Sequence, residues 1–288
     1  MKSIDADFPI ESLPLEQLPQ LKEIPEPPKQ LFIRGTLPRE VKFLIVVGSR
    51  LHTTYGKAAC EHLIEGLRGY PVCIVSGLAL GIDTIAHQAA LKAQLPTIAF
   101  PGSGLDWNVL YPRTNHAAAK AILEAGGALI SEFNHNFRAT TFAFPKRNRL
   151  VAGIADAVLI IEANEKSGTL ITARLATEYN RNVLAVPGPI FSNQSKGTNW
   201  LIARGAVPAL SAAAILQELG LNEKPTETLR LDITEHERIL LEALGSPLTR
   251  DELPDLVPLS AQEINIALTM LEIKGLITES LGKLQRIA

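Results

Sequence analysis

A chain of 288 residues accommodates one large domain and a smaller companion, and its 46% hydrophobic and 5% aromatic content fits an α/β core of Val, Ile, Leu and Ala. No apolar run approaches the ~20 residues of a membrane span, and no basic segment followed by an apolar one marks a secretory signal. The two cysteines, Cys60 and Cys73, have neither metal spacing nor partners for a disulfide framework, and a net charge of −2 excludes a globally basic protein. A cytoplasmic protein without a membrane partner is expected.

Residues 1–40 are punctuated by seven prolines (Pro9, Pro14, Pro19, Pro25, Pro27, Pro28 and Pro38) and read as an extended lead-in, with one short strand at Leu31–Arg34. From Phe43 the pattern alternates. Strands are predicted at Phe43–Val47, Val72–Val75, Thr97–Phe100, Ala128–Ile130, 157–162 and Val183–Val186. Helices are predicted from about Thr53 to Gly69, from Thr84 to Ala93, from Asn115 to Ala125 and from about Gly168 to Tyr179. Such alternation predicts right-handed βαβ units and a mostly parallel sheet. The unusual residues follow strand ends: Gly48-Ser49-Arg50, Ser76-Gly77, Gly102 with Gly104, Glu162 through Gly168, and Pro187-Gly188. Ligands bind at that edge of open α/β sheets, and glycine there lets backbone amides approach an anion.

The segment 221–231 is polar and aperiodic, a linker. Beyond it, over 232–288, three capping boxes (Thr234 with Glu237, Thr249 with Glu252, Ser260 with Glu263) mark three helix starts. Two short apolar stretches around Leu281-Gly282-Lys283 predict a two-stranded wing, giving a small C-terminal winged-helix domain. Its ten acidic residues outnumber five basic ones, which opposes contact with phosphates and suits a protein-interaction or packing role.

The centre of interest is Phe144-Pro-Lys-Arg-Asn-Arg149, where Lys146, Arg147 and Arg149 crowd beside Asn148 in a stretch with no acidic residue between Phe133 and Ala155. Arg50 presents a fork suited to paired phosphate oxygens. Ser167, Gly168 and Thr169 stand where a helix begins, which suits an anion or serves simply as a cap. Asp83 and His87, one helical turn apart, read as a helix-terminal charge and a structural histidine, with a metal or acid–base pair as the alternative. Glu132 and Glu162 end strands at the ligand edge and are candidate carboxylates for catalysis. Gly-x-x-x-x-Gly-Lys-Ser/Thr is absent, and the first strand–helix turn lacks Gly-x-Gly-x-x-Gly.

These segments together resemble the DNA-processing protein A family (DprA, also called Smf). The resemblance rests on Ile45–Arg50, Val75–Ala79 with Gly81-Ile-Asp83 and Ala86-His87, Gly104–Asp106 with Tyr111-Pro112, and Ile130–Glu132. It continues through Phe144–Arg149, Ser167–Ala173, Val186–Gly188 and Gly205-Ala206, in fixed order. It implies an extended Rossmann-like domain over 41–220 that binds single-stranded DNA and forms a homodimer. It also implies a protein without catalytic activity or cofactor that protects incoming DNA and loads the RecA recombinase during natural transformation. By motif, Gly48, Ser49, Arg50, Gly77, Lys146, Arg147, Asn148, Arg149, Ser167, Gly168 and Thr169 would contact the DNA. Many members carry arginine where this chain has Leu80. The alternative is a nucleotide phosphoribohydrolase-like enzyme on a related fold, with Glu132 or Glu162 as acid or base and Pro101-Gly-Ser-Gly104 as its loop.

Overall fold

The computed structural model describes residues 7–222, 233–245, 248–274, 276–280 and 282–286. The chain divides into two compact units, 1–223 and 224–288. Most of the expected linker lies outside the described residues.

In the larger unit the strands are β1 (Ile10–Ser12), β2 (Phe32–Gly35), β3 (Lys42–Val47), β4 (Val72–Ser76), β5 (Thr97–Ala99), β6 (Ala128–Ser131), β7 (Ala157–Ile160), β8 (Asn182–Ala185) and β9 (Val207–Pro208). The helices are α1 (Thr54–Glu65), α2 (Ile82–Lys92), α3 (His116–Glu124), α4 (Ala143–Gly153), α5 (Thr169–Glu178), α6 (Lys196–Ile202) and α7 (Ala212–Glu218). The strands form one sheet in the order β1-β2-β6-β5-β4-β3-β7-β8-β9. From β6 to β9 every pairing is parallel, while β2 pairs antiparallel with β6 and β1 antiparallel with β2. The fold is therefore the expected Rossmann-like α/β architecture with a mostly parallel sheet.

Strand β3 fixes where a ligand can sit. After it the chain winds through β4, β5 and β6 on one side and later through β7, β8 and β9 on the other, so the β3–β7 junction is the topological switch point. Alternating side chains of β3 feed two cores. Phe43, Ile45 and Val47 join Leu150, Val151 and Ala173 on one face, whereas Leu44 and Val46 join Cys60, Leu63, Ile82 and Ala86 on the other. A side chain of this size contributes about 1.5–3 kcal/mol on full burial, so both faces hold the helices firmly. Both cysteines are free and buried, and among the described residues no helix is long and apolar enough to cross a membrane.

The fold adds to the sequence reading in three places. The lead-in carries β1 and two 3-10 turns, Leu15–Gln17 and Pro19–Lys22, and it buries Leu13, Leu18, Leu21, Ile24 and Leu31 in the first core. Beyond Val186, where the predicted series closes, the chain adds α6, β9 and α7. Residues 143–153, which carry no helical prediction, form α4. Pro145 falls in the first turn, where the backbone N–H has no helical acceptor to lose, and no side chain caps the start at Phe142.

The smaller unit contains α8 (Glu235–Ala243), a 3-10 turn at Arg250–Glu252, α9 (Leu253–Leu256), α10 (Ala261–Ile273) and the paired strands β10 (Ile277–Ser280) and β11 (Lys283–Arg286). All three predicted capping boxes form. Leu240, Leu253, Leu268, Leu271 and Leu284 make its separate core. Its cations are largely spoken for: Arg238 pairs with Glu235 and Glu242, Arg250 with Glu272 and Glu279, and Lys274 with Glu237.

Candidate nucleic-acid interface

At the carboxyl ends of β3, β4 and β7 lies a cleft of about 400 Å³. Its floor and rim include Gly48, Ser49, Arg50, Gly77, Arg147, Asn148, Ser167, Gly168 and Thr169, so nine of the eleven sequence-predicted residues converge at the switch point. Each strand end contributes for a local reason. After β3, a Cβ at Gly48 would lie 2.7 Å from the Ile82 side chain, so the turn must be bare to let α2 pack. The Ser49 hydroxyl accepts from Leu51 N at 3.1 Å and donates to the Leu51 carbonyl at 2.9 Å, closing the turn and leaving Arg50 to project outward. The Arg50 guanidinium lies 5.4 Å from the Phe144 ring centroid, a cation–π contact, and among the described residues no ion-pair partner meets it.

Arg147 plays a different part from the one its sequence position implies. It is buried and donates to the carbonyls of Gly77 and Phe100 and, through Nε, to Asn148 Oδ1 at 3.0 Å. Burial pulls its guanidinium below the usual value, opposed by the nearby Asp83 charge. Asp83 in turn accepts from Gly77 N at 3.0 Å and Ala79 N at 3.3 Å, and burial raises its pKa against the lowering effect of Arg147. The two thus fasten the loop after β4, with the Asp83 carboxyl, itself in the cleft wall, set against the buried Arg147 guanidinium.

Lys146 and Arg149 are not in the cleft. On α4, residues 144, 147, 148 and 151 share one face and 146, 149 and 153 the opposite one, as a 100° step requires. Arg149 is buried against Glu132 at 2.5 Å. Lys146 lies 3.8 Å from the same carboxylate and 5.6 Å from the Phe133 ring centroid. Burial raises the Glu132 pKa, with Arg149 and then Lys146 opposing. The expected single basic cluster is therefore two, back to back on one helix, and only one faces the cleft.

At the start of α5, Gly168 is exposed and a Cβ there would meet nothing within 4 Å. The Thr169 amide already bonds the Ser167 hydroxyl at 3.2 Å, so the turn is a partly satisfied helix N-terminus rather than a row of free amides. Cleft members beyond the predicted contacts include Leu51, Asp83, Phe144, Asn164, Thr172 and Gln194, of which Gln194 comes from a loop with no local motif. Neither candidate catalytic glutamate lines the cleft. Glu162 accepts from Thr53 N at 2.9 Å and from the Thr53 hydroxyl at 2.5 Å, anchoring the N-terminus of α1, and Gly56 makes room for its carboxylate. His87 is fully buried and bonds Thr97 Oγ1 through Nδ1 at 2.8 Å, the structural role.

Fold and cleft together define a Rossmann-like protein with a polar cleft at its switch point. A profile of the family described as DNA recombination-mediator protein A matches residues 5–220, and the chain belongs to that family. It is 43% identical to protein Smf of Escherichia coli over 202 residues, covering 70% of this chain and 54% of that protein. It is 42% identical to DNA processing protein DprA of Streptococcus pneumoniae over 200 residues, 69% of each chain. The chain thus spans about half the length of the first relative and about two thirds of the second. The crystal structure of the pneumococcal protein superposes with a TM-score of 0.66 at 37% identity, covering 73% of this chain and 74% of that one. A structure of DNA processing protein A from Helicobacter pylori, described for its single-stranded DNA binding mode, gives 0.65 at 30% identity over 74% of this chain and 96% of that one.

Proposed function

We propose that this protein binds single-stranded DNA through the cleft at the β3–β7 switch point. In this reading it protects incoming strands and loads the RecA recombinase onto them in natural transformation, working in the cytoplasm as a homodimer without catalytic turnover. The observation that carries the reading is Arg50. It is an exposed arginine with no ion-pair partner among the described residues, set over the Phe144 ring at the mouth of a cleft whose floor holds buried Arg147. A phosphate entering there meets a charge it does not have to take from a carboxylate. The H. pylori relative, matched over most of its length, is described as binding single-stranded DNA, which supports the same ligand here. The smaller, acidic unit is in this reading a winged-helix module for protein contacts, with Arg238, Arg250 and Lys274 held in internal pairs.

The hydrolase reading finds no support in the cleft, because Glu132 and Glu162 are both engaged elsewhere. The test is a gel-shift titration of single- and double-stranded oligonucleotides of one sequence over a salt series. Tighter binding to the single strand, with a log–log salt slope showing several phosphate contacts, is the expected result. Equal or absent binding of both would sink the reading.

A further inference from the structure

We propose that Phe191 is a base-stacking platform for the strand whose phosphates lie at Arg50. The inference rests on the single-stranded DNA reading and adds a contact outside the cleft. Phe191 is 93% exposed and its neighbour Ile190 75%, at the tip of a turn closed by Ser192 N bonding to the Pro189 carbonyl at 2.9 Å. The loop that carries them is fixed at both ends. Tyr55 Oη donates to the Pro187 carbonyl at 2.7 Å, and the Asn199 side chain holds both the N–H and the carbonyl of Gly188 at 3.2 and 2.9 Å. At the other end Gln194 Nε2 donates to the Leu51 carbonyl at 2.9 Å and Gln194 O accepts from Ala163 N at 2.9 Å. An apolar tip on an anchored loop is presented to solvent by construction.

Its neighbourhood selects the ligand. Gln194 and Leu51 both line the cleft, and Leu51 is itself 81% exposed. Phe191 is three residues from Gln194, so its backbone lies within about 10 Å of the rim, a reach that the next nucleotides along a bound strand cover. A ring and two branched aliphatic side chains, Ile190 and Leu51, make too small a patch for a stable protein partner, which needs about 800 Å² per side. A nucleobase needs only the ring face. Every base has such a face, so the contact is tolerant of sequence and insensitive to salt. Arg50 would supply the charge and Phe191 the stacking.

The test compares the full-length wild type with F191A, F191W and R50A, by fluorescence anisotropy on labelled oligo-dT and on a matched strand of abasic sites, each over a salt series. F191A is expected to bind oligo-dT about tenfold more weakly with an unchanged salt slope. It should match the wild type on the abasic strand, and F191W should bind oligo-dT as the wild type does. R50A is expected to lose affinity on both strands. Wild-type binding of oligo-dT by F191A beside a weakened R50A overturns the stacking role and leaves the DNA reading standing, with the apolar tip then free for a protein. Equal losses by F191A on the two strands also overturn stacking. Wild-type behaviour of both F191A and R50A overturns the DNA reading itself.

Discussion

The Arg147 guanidinium occupies the space that a side chain on Gly77 would need, and it bonds the Gly77 carbonyl from there. A glycine at a ligand edge is thus a seat for a buried arginine from a helix 70 residues on.

The first prediction concerns that seat. Arg147→Ala strands the carbonyls of Gly77 and Phe100 and leaves Asp83 without its nearby charge. Leaving buried polar groups unpaired costs about 1–3 kcal/mol each. Urea unfolding of the variant should show a loss of that order, and Gly77→Ala should also be destabilised because its Cβ collides with the guanidinium.

The second separates two cations that look equivalent in sequence. Arg50→Ala is expected to weaken single-stranded DNA binding whatever the base composition and to lower the salt slope by about 0.7, with little change in the unfolding midpoint. Lys146→Ala, on the opposite face of α4 beside Glu132, is expected to leave the salt slope unchanged. Salt-dependent titrations of both variants decide the matter.

The third follows from His87. Thr97 Oγ1 donates to the Ile74 carbonyl and so receives the His87 Nδ1 proton, leaving Nε2 bare and buried without a partner. Burial first, then the Arg147 charge, holds the imidazole down at about 3. Its folded value is depressed, so the unfolded chain takes up the proton first as pH falls. Its contribution is complete above the ordinary histidine value near 6.5. It is lost on acidification from there toward about 3, at about 1.4 kcal/mol per pH unit. Asp83, whose value is raised, acts in the opposite sense as pH falls, so the measurement is a difference. Wild type minus His87→Leu, by denaturant unfolding between pH 7 and 4, should show that slope.

The fourth tests modularity. The two units have separate apolar cores. Ending the chain at Asn222 should therefore preserve the larger unit's thermal unfolding and its affinity for single-stranded DNA. A loss of affinity would assign the acidic unit a direct part in binding.

The parallel sheet was readable in the sequence because β3, β4 and β7 are buried on both faces and so appear as unbroken apolar runs, the first two ending at glycine. The ligand edge was readable for a related reason: Gly48 and Gly77 mark strand ends where packing forbids a side chain. The direction of the basic residues was not readable. Lys146, Arg147 and Arg149 sort to opposite sides only once α4 supplies its helical phase, and Pro145 and the uncapped Phe142 conceal that helix. Gln194 reaches the cleft through tertiary contacts that leave no local pattern.

Leu21 and Ile24 press on Gly153 at the end of α4, so closely that a Cβ there would lie 2.9 Å from each. The opening segment thus braces the very helix that carries Arg147 and Phe144. A domain boundary drawn at residue 40, where the proline-rich stretch invites one, would unroof that helix and slacken the cleft from behind. Changes far from any ligand could then weaken DNA binding without removing a single contact to it.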